Sequence, residues 1–276
     1  MTIDAHQHFW KYEPVKHAWI DNSMSMIRQD FMPVDLKKVY DEHGIDGCVA
    51  VQADQSLEET DFLLGLSGKY EFIKGVVGWV DLRDIKIDKV LEAYSKYEKV
   101  KGFRHIVQGE TDPDFLLRSD FLRGISYLEQ YNFVYDILIF PHQLGTTLEF
   151  VKRFPHQKFV IDHIAKPYIK AGYFEKWASL MKEIAKEENV YCKLSGMITE
   201  ADYNSWTPEQ ITPYMDLVLS AYGTDRIMFG SDWPVCLVAG GYAEVKLLVT
   251  DFISKLSRME QAQIMGNNAI QFYDLK

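Results

Sequence analysis

The chain has 276 residues, 47% of them hydrophobic and 25% charged, a balance that supplies a sizeable core under an ordinary soluble surface and excludes a disordered polypeptide. Forty acidic against thirty basic side chains leave a formal net charge of −10, which repels polyanions and argues against a nucleic-acid or anionic-membrane partner. No apolar run approaches the ~18 residues of a membrane span.

Met1–His6 has neither the basic nor the apolar region of a secretory signal, and the cysteines Cys48, Cys192 and Cys236 are odd in number and widely spaced. Both features fit a cytoplasmic protein with reduced, buried thiols.

Short β-branched or apolar runs recur along the whole chain. They are Ile3–Phe9, Gly47–Gln52, Phe72–Val80, Val100–Ile106, Phe133–Phe140, Lys158–His163, Val190–Ser195 and Arg226–Asp232. Amphipathic segments of helical length separate them, among them Pro33–His43, opened by proline and closed by Gly44, and Asp120–Tyr131, preceded by Ser119 as a cap. Strand and helix in alternation signal βαβ units and a parallel sheet, and eight of them predict a closed (β/α)₈ barrel forming one domain over residues 1–276. An open doubly wound sheet would carry a glycine-rich turn after its first strand, where this chain reads His6-Gln7-His8-Phe9-Trp10. Trp10 to Met32 is a long first loop, too apolar for a linker, and reads as a lid or pocket wall; Glu260–Leu275 reads as a closing helix.

Barrel active sites lie at the C-terminal ends of the strands, so polar residues there carry functional weight. His6 and His8, two apart on an extended segment, point to one side and together face the axis. A lone histidine is more often a satisfied core or turn residue, but two in alternation at a strand end reverse that reading. The sixth strand ends in Asp162-His163 and the eighth in Ser231-Asp232-Trp233-Pro234. The fourth ends in Arg104-His105, whose side chains take opposite faces, so one of the two reaches the site. Gln52 and Lys193 are further strand-end candidates for substrate contact, each equally consistent with a solvated or helix-facing side chain. Trp10, Trp19 and Trp233 suit stacking on a sugar ring or packing in a core.

The ordered set His6-x-His8, Arg104-His105, Asp162-His163-x-x-Lys166-Pro167, Lys193-Leu-Ser195-Gly196 and Gly230-Ser-Asp232-Trp-Pro234 resembles the amidohydrolase superfamily. More narrowly it resembles the amidohydrolase 2 branch, which contains sugar lactonases and the 2-pyrone-4,6-dicarboxylate lactonases. The resemblance implies a hydrolase acting on a small lactone, with an L-fucono- or L-rhamnono-lactone the favoured type. His6 and His8 then line the site, His163 lies close by and Asp232 handles the water. Metal-binding relatives that carry a ligand on the fifth strand place a histidine where this chain has Phe140, and His142 comes two residues later, past a proline. The site implied is metal-free or holds one divalent ion, zinc first, on His6, His8 and Asp232.

Lactone hydrolysis needs a base for water, a polariser for the carbonyl and an acid for the ring oxygen. Asp232 suits the base, the three histidines suit polarisation, and Arg104 or His105 suits the oxyanion. Two rival readings are a decarboxylase of the same superfamily and an inactive barrel that only binds a sugar acid. Phe140 counts against the first, and retention of His6, His8 and Asp232 against the second. The expected partner is a small-molecule substrate, with the oligomeric state, a homodimer included, left open.

Overall fold

The structure, a computed structural model, describes all 276 residues. Eight parallel strands pair in chain order: β1 Ile3–Gln7, β2 Gly47–Val51, β3 Ile73–Gly78, β4 Val100–His105, β5 Val134–Ile137, β6 Phe159–Ile161, β7 Val190–Leu194 and β8 Ile227–Phe229. The helices are α1 Pro33–His43, α2 Leu57–Ser67, α3 Ile87–Tyr94, α4 Ser119–Ile125, α5 Leu144–Lys152, α6 Glu175–Ile184, α7 Pro208–Tyr222, α8 Tyr242–Phe252, α9 Arg258–Ala262 and α10 Asn268–Tyr273. This is the expected (β/α)₈ barrel. No helix is long and apolar enough to cross a membrane.

The ring closes between its first and last strands. Asp232 N–H donates to His6 O at 2.8 Å, and His8 N–H donates to Trp233 O at 2.7 Å. The backbone that seals the barrel is thus the backbone that carries the histidine pair and the terminal aspartate. Asp4 secures the same seam from outside. Its carboxylate accepts from Ser231 N–H at 2.9 Å, from Tyr40 of α1 at 3.0 Å and from Tyr242 of α8 at 3.2 Å.

The apolar residues divide into two layers. Strand residues such as Cys48, Phe103 and Ile137 pack outward against the helices. Ile3, Ala5, Val49, Val51, Val77, Val134, Val160 and Met228 pack with Phe272, Tyr273 and Leu275 of the C-terminal segment. Alternation along a strand assigns successive residues to these layers, but the register of β1 on β2 breaks between Asp4 and Gln7. A bulge of this kind re-aims the side chains that follow it, and His6 and His8 both end inside.

The strands are shorter than the apolar runs because Phe9, Leu138 and Ile139 are buried in loops past the last ladder pairs. The Pro33–His43 helix forms as expected, with Gly44 at φ +66° as its left-handed stop. Asp120–Tyr131 does not form one helix: α4 starts at Ser119, which is its first residue and not its cap, and ends at Ile125, with a 3₁₀ turn at Glu129–Tyr131. Gly124 explains part of this, since a Cβ there would sit 1.9 Å from Leu82 O, so α4 is pressed directly against a neighbouring backbone. The closing helix is also interrupted. A π-turn at Gln263–Asn267 separates α9 from α10, and at Gly266 a Cβ would lie 2.0 Å from Met1 O.

Charges fill the interior below the histidines. Lys193, fully buried on β7, donates through Nζ to Asp136 at 2.5 Å, lies 3.0 Å from Asp162 Oδ1 and 3.1 Å from His6 Nδ1. Tyr273 of α10 donates to Asp136 at 2.8 Å. Arg104 Nη1 donates to Asp162 Oδ2 at 3.0 Å. Two cations thus face two carboxylates with no water-exposed surface on Lys193, Asp136 or Asp162. Lys193, expected as a substrate contact, is a buried counter-ion beneath the site instead.

A buried ion pair stripped of one partner leaves a charge unpaired in low dielectric. Lys193→Met is therefore expected to cost about 3–5 kcal/mol of stability. Equilibrium urea denaturation reads this directly, and a loss under about 0.5 kcal/mol, the level of an ordinary surface substitution, would show that the interior charges do not depend on Lys193.

Candidate active site

A pocket of about 380 Å³ opens at the C-terminal ends of the strands. His8, Arg104, His163 and Asp232 line its polar depth, and Trp19, Met24, Leu138 and Phe140 its apolar wall. His6 lies just beneath, fully buried. Four of the six expected catalytic residues thus converge on one cavity, a fifth, His6, lies under its floor, and the sixth, His105, does not line it.

His6 Nε2 and His8 Nε2 are 3.2 Å apart. Asp232 Oδ1 stands 3.3 Å from His8 Nε2 and 3.9 Å from both His6 Nε2 and His163 Nε2. That oxygen is buried and has no hydrogen-bond partner. The other ring nitrogens fix the orientations. His8 Nδ1 lies 2.7 Å from Val51 O, which only accepts, so Nδ1 carries a proton and Nε2 is the nitrogen turned to the cluster. Arg104 Nη1, which only donates, lies 3.3 Å from His6 Nε2, so that nitrogen presents a lone pair. His163 Nδ1 pairs with Ser195 Oγ at 2.9 Å.

Burial lowers the His6 and His163 imidazoles well below their ordinary range, outweighing Asp162 and Asp232, which oppose it. Both rings are neutral at physiological pH. Burial acts on Asp232 the other way, yet His163, His8 and Lys166 outweigh it and hold the carboxyl below its usual range. Asp162 is similar: burial opposes ionisation, but Lys193, His6 and Arg104 keep it a carboxylate.

Two imidazole Nε2 atoms and an unpartnered carboxylate oxygen converge within 4.8 Å, the donor set that suits one divalent cation. His6, His8 and Asp232 are the residues that could hold it. A cluster of His6, Asp162 and His163 also brings its ligand atoms together, but Asp162 is already engaged with Arg104 and Lys193.

Several expected contacts lie elsewhere. His105 faces away from the pocket, stacked on Phe115 at 4.6 Å between ring centroids, paired with Glu110 at 2.6 Å and receiving Trp79 Nε1–H at 3.3 Å. Of the Arg104-His105 pair it is Arg104 that reaches inward. Gln52 is fully buried and serves Arg104: its Nε2 donates to Arg104 O at 3.1 Å, and its backbone carbonyl accepts from Arg104 Nη2. Trp10 is a wall behind the pocket, donating to Gln29 O at 2.9 Å and meeting Trp19 edge-on at 5.8 Å. Trp19 itself lines the cavity, as the pocket-wall reading of the first loop expects. Trp233 is buried against Phe9 and Phe31, and His142 is exposed, flanking Phe140.

Sequence reasoning passed over Asp162 as a site residue, although it adjoins His163 and anchors both His6 and Arg104. It also gave no role to Ser195 or to Glu200 on the pocket wall. No one-residue signal marks these; each matters through a partner far away in sequence.

Backbone strain gathers at the site. His163, Ile164, Ala165 and Lys166 have φ of +53°, +47°, +60° and +47°, a full left-handed turn without a glycine, and Asp232 has φ +58°. Such conformations cost roughly 1–2 kcal/mol per residue and persist where surroundings over-determine them, commonly at functional sites. Here Trp177 Nε1–H donates to Ile164 O at 2.8 Å, and Gly196, two residues past β7, lets the chain approach so closely that a Cβ would lie 2.5 Å from His163 Nδ1.

Comparison with known proteins gives the family. The amidohydrolase family model matches residues 3–275. The chain is 36% identical over 286 residues to an L-fucono-1,5-lactonase of Burkholderia multivorans, covering 100% of this chain and 96% of that protein. It is 33% identical over 284 residues to an L-fucono-1,5-lactonase of Burkholderia ambifaria, covering 98% and 94%. A solved structure of a Burkholderia multivorans amidohydrolase with bound zinc superimposes with a TM-score of 0.96 at 36% identity over all of both chains. The barrel, its strand-end histidines and aspartate and this full-length match together place the chain in the amidohydrolase family.

Proposed function

We propose that this one-domain barrel hydrolyses the neutral lactone of a six-carbon sugar acid, of the L-fucono-lactone type, to the open hydroxy acid. The observation that carries the reading is the ionised, unpartnered oxygen of Asp232, buried among three imidazoles at the base of a small-molecule pocket. The full-length similarity to two L-fucono-1,5-lactonases supports it.

In this reading Asp232 takes a proton from water as the water oxygen bonds to the lactone carbonyl carbon. The carbonyl becomes an oxyanion, stabilised by the proton on His163 Nε2 when Ser195 donates to Nδ1 and by the nearby positive charge of Arg104, whose Nη groups stay bonded to Asp162 and the Gln52 carbonyl. A charge this close is worth more in a buried site than in water, because little solvent competes for it. Collapse breaks the bond to the ring oxygen, and Asp232 returns its proton to the departing alkoxide. The atoms balance: lactone plus water gives one carboxylic acid and one hydroxyl. A divalent ion bound by His6, His8 and Asp232, with zinc the first choice, would polarise the carbonyl and lower the pKa of its water towards about 7.

The pocket lacks a free cation for a carboxylate substrate. Arg104 is committed to Asp162 and the Gln52 carbonyl, and Lys166 to Glu200 at 3.2 Å. Recognition of carboxylates favours unpaired, preferably bidentate, arginine. A neutral polyol fits instead.

Asp232→Asn keeps shape and removes the base, and is expected to lower kcat by at least ~10², the lower bound of a positioned base's contribution. Circular dichroism checks the fold; a folded variant near wild-type rate would remove Asp232 from the chemistry and leave His163 as the candidate base.

Metal content should not exceed one divalent ion per chain, because the Arg104 guanidinium beside His6 already supplies a fixed positive charge that repels a second cation. Elemental analysis of the purified protein after zinc loading and gel filtration measures it, and two tightly held ions per chain would contradict the account.

Acid release in weak buffer with an indicator dye tests the substrate. The kcat/KM for a neutral aldonolactone is expected to exceed that for a dicarboxylate lactone, and the reverse order would overturn the choice of substrate.

A further inference from the structure

Lys166 and Glu200 form an ion pair in the pocket wall, Nζ to Oε1 at 3.2 Å, with side chains 18% and 15% exposed. Lys166 sits at the end of the left-handed turn, and Glu200 ends the 3₁₀ turn Ile198–Glu200 after β7. A partly exposed pair of this kind adds little to stability, at most about 1 kcal/mol. The turn that presents Lys166 costs more than that. The pair therefore needs a reason other than holding the fold.

The rest of the pocket lining supplies one. Gln108 Oε1, also in the pocket lining, is buried without a hydrogen-bond partner and waits for a donor. Phe140 offers an apolar face, with Lys166 Nζ 5.8 Å from its ring centroid. Together these groups provide a charged acceptor, a charged donor, an unpaired neutral acceptor and a flat apolar surface, at zero net charge. That is the complement of a ring bearing adjacent hydroxyls, each of which donates to one group and accepts from another. The pair also borders the reacting groups, since Lys166 ends the left-handed turn that begins at His163 and lines the same pocket as His163 and Asp232.

We propose that Lys166 and Glu200 are the specificity element of this pocket, reading neighbouring hydroxyls on the substrate ring while the histidines and Asp232 act on its carbonyl. The inference rests on the lactonase reading for its substrate class but on the wall geometry for the residues. Hydrogen bonds to charged groups are the stronger ones, so their loss should appear in KM and not in kcat.

The test compares wild type, Glu200→Gln, Lys166→Met and Lys166→Arg on L-fucono-1,5-lactone and on δ-valerolactone, which has the same ring and no hydroxyls. The preference for the hydroxylated lactone, as a ratio of kcat/KM values, should fall at least ~10-fold in Glu200→Gln and Lys166→Met. The loss should sit in KM, and Lys166→Arg should recover part of it. Calorimetric titration with the corresponding hydroxylated δ-lactam and with δ-valerolactam reads the same preference without turnover. Equal lactam preference in wild type and variants, no preference in wild type, or a fall in kcat on both lactones alike would each overturn the proposal. A wild type that opens neither lactone, yet shows a lactam preference that the variants lose, would refute the lactonase reading and leave this one standing.

Discussion

The site depends on Lys193 standing between two carboxylates in the barrel interior. Asp136 and Asp162 flank a fully buried ammonium, and Asp162 then holds both Arg104 and His6. Desolvating these charges is expensive, and the cost is tolerable only because every member has an opposite charge or a hydrogen bond within about 3 Å, as buried ionic groups require. One consequence is geometric, since Arg104 and His6 cannot move independently of the floor. Another is electronic, because a neutral His6 and an ionised Asp162 follow from the same placement of charge.

Above that floor, the closing seam of the barrel sets the reacting groups. Asp232 and the histidine pair are held by reciprocal backbone bonds between β1 and the end of β8, so their separation is a property of the ring and not of a mobile loop. His163 comes from a strained left-handed turn whose shape is fixed by Trp177 and by the close approach of Gly196. Closure of the barrel supplies position, the buried charges supply protonation state, and the strained turn supplies the third imidazole.

Much of this was legible in the sequence because it follows from periodicity. His6 and His8 share a side of an extended strand, and Arg104 and His105 take opposite faces, one lining the pocket and the other turned away from it. What periodicity does not encode is pairing between distant strands. Lys193, near a strand end, was equally consistent with a substrate contact and with a solvated or helix-facing side chain; only Asp136, 57 residues earlier, turns it into a counter-ion. Asp162 was hidden for the same reason. The left-handed turn was invisible because His-Ile-Ala-Lys contains none of the glycine or asparagine that announces positive φ. The closing helix looked continuous because one glycine in a helical pattern is tolerated, and the contact that breaks it here is with the chain's own first residue.

The central claim is that water, activated at Asp232, attacks the carbonyl carbon of a lactone. Turnover of L-fucono-1,5-lactone in ¹⁸O-labelled water, followed by mass spectrometry of the product, tests it most directly. The account predicts one labelled oxygen, in the carboxylate, with none in the released hydroxyl and no carbon dioxide. Label in the hydroxyl, or loss of carbon dioxide, would contradict it.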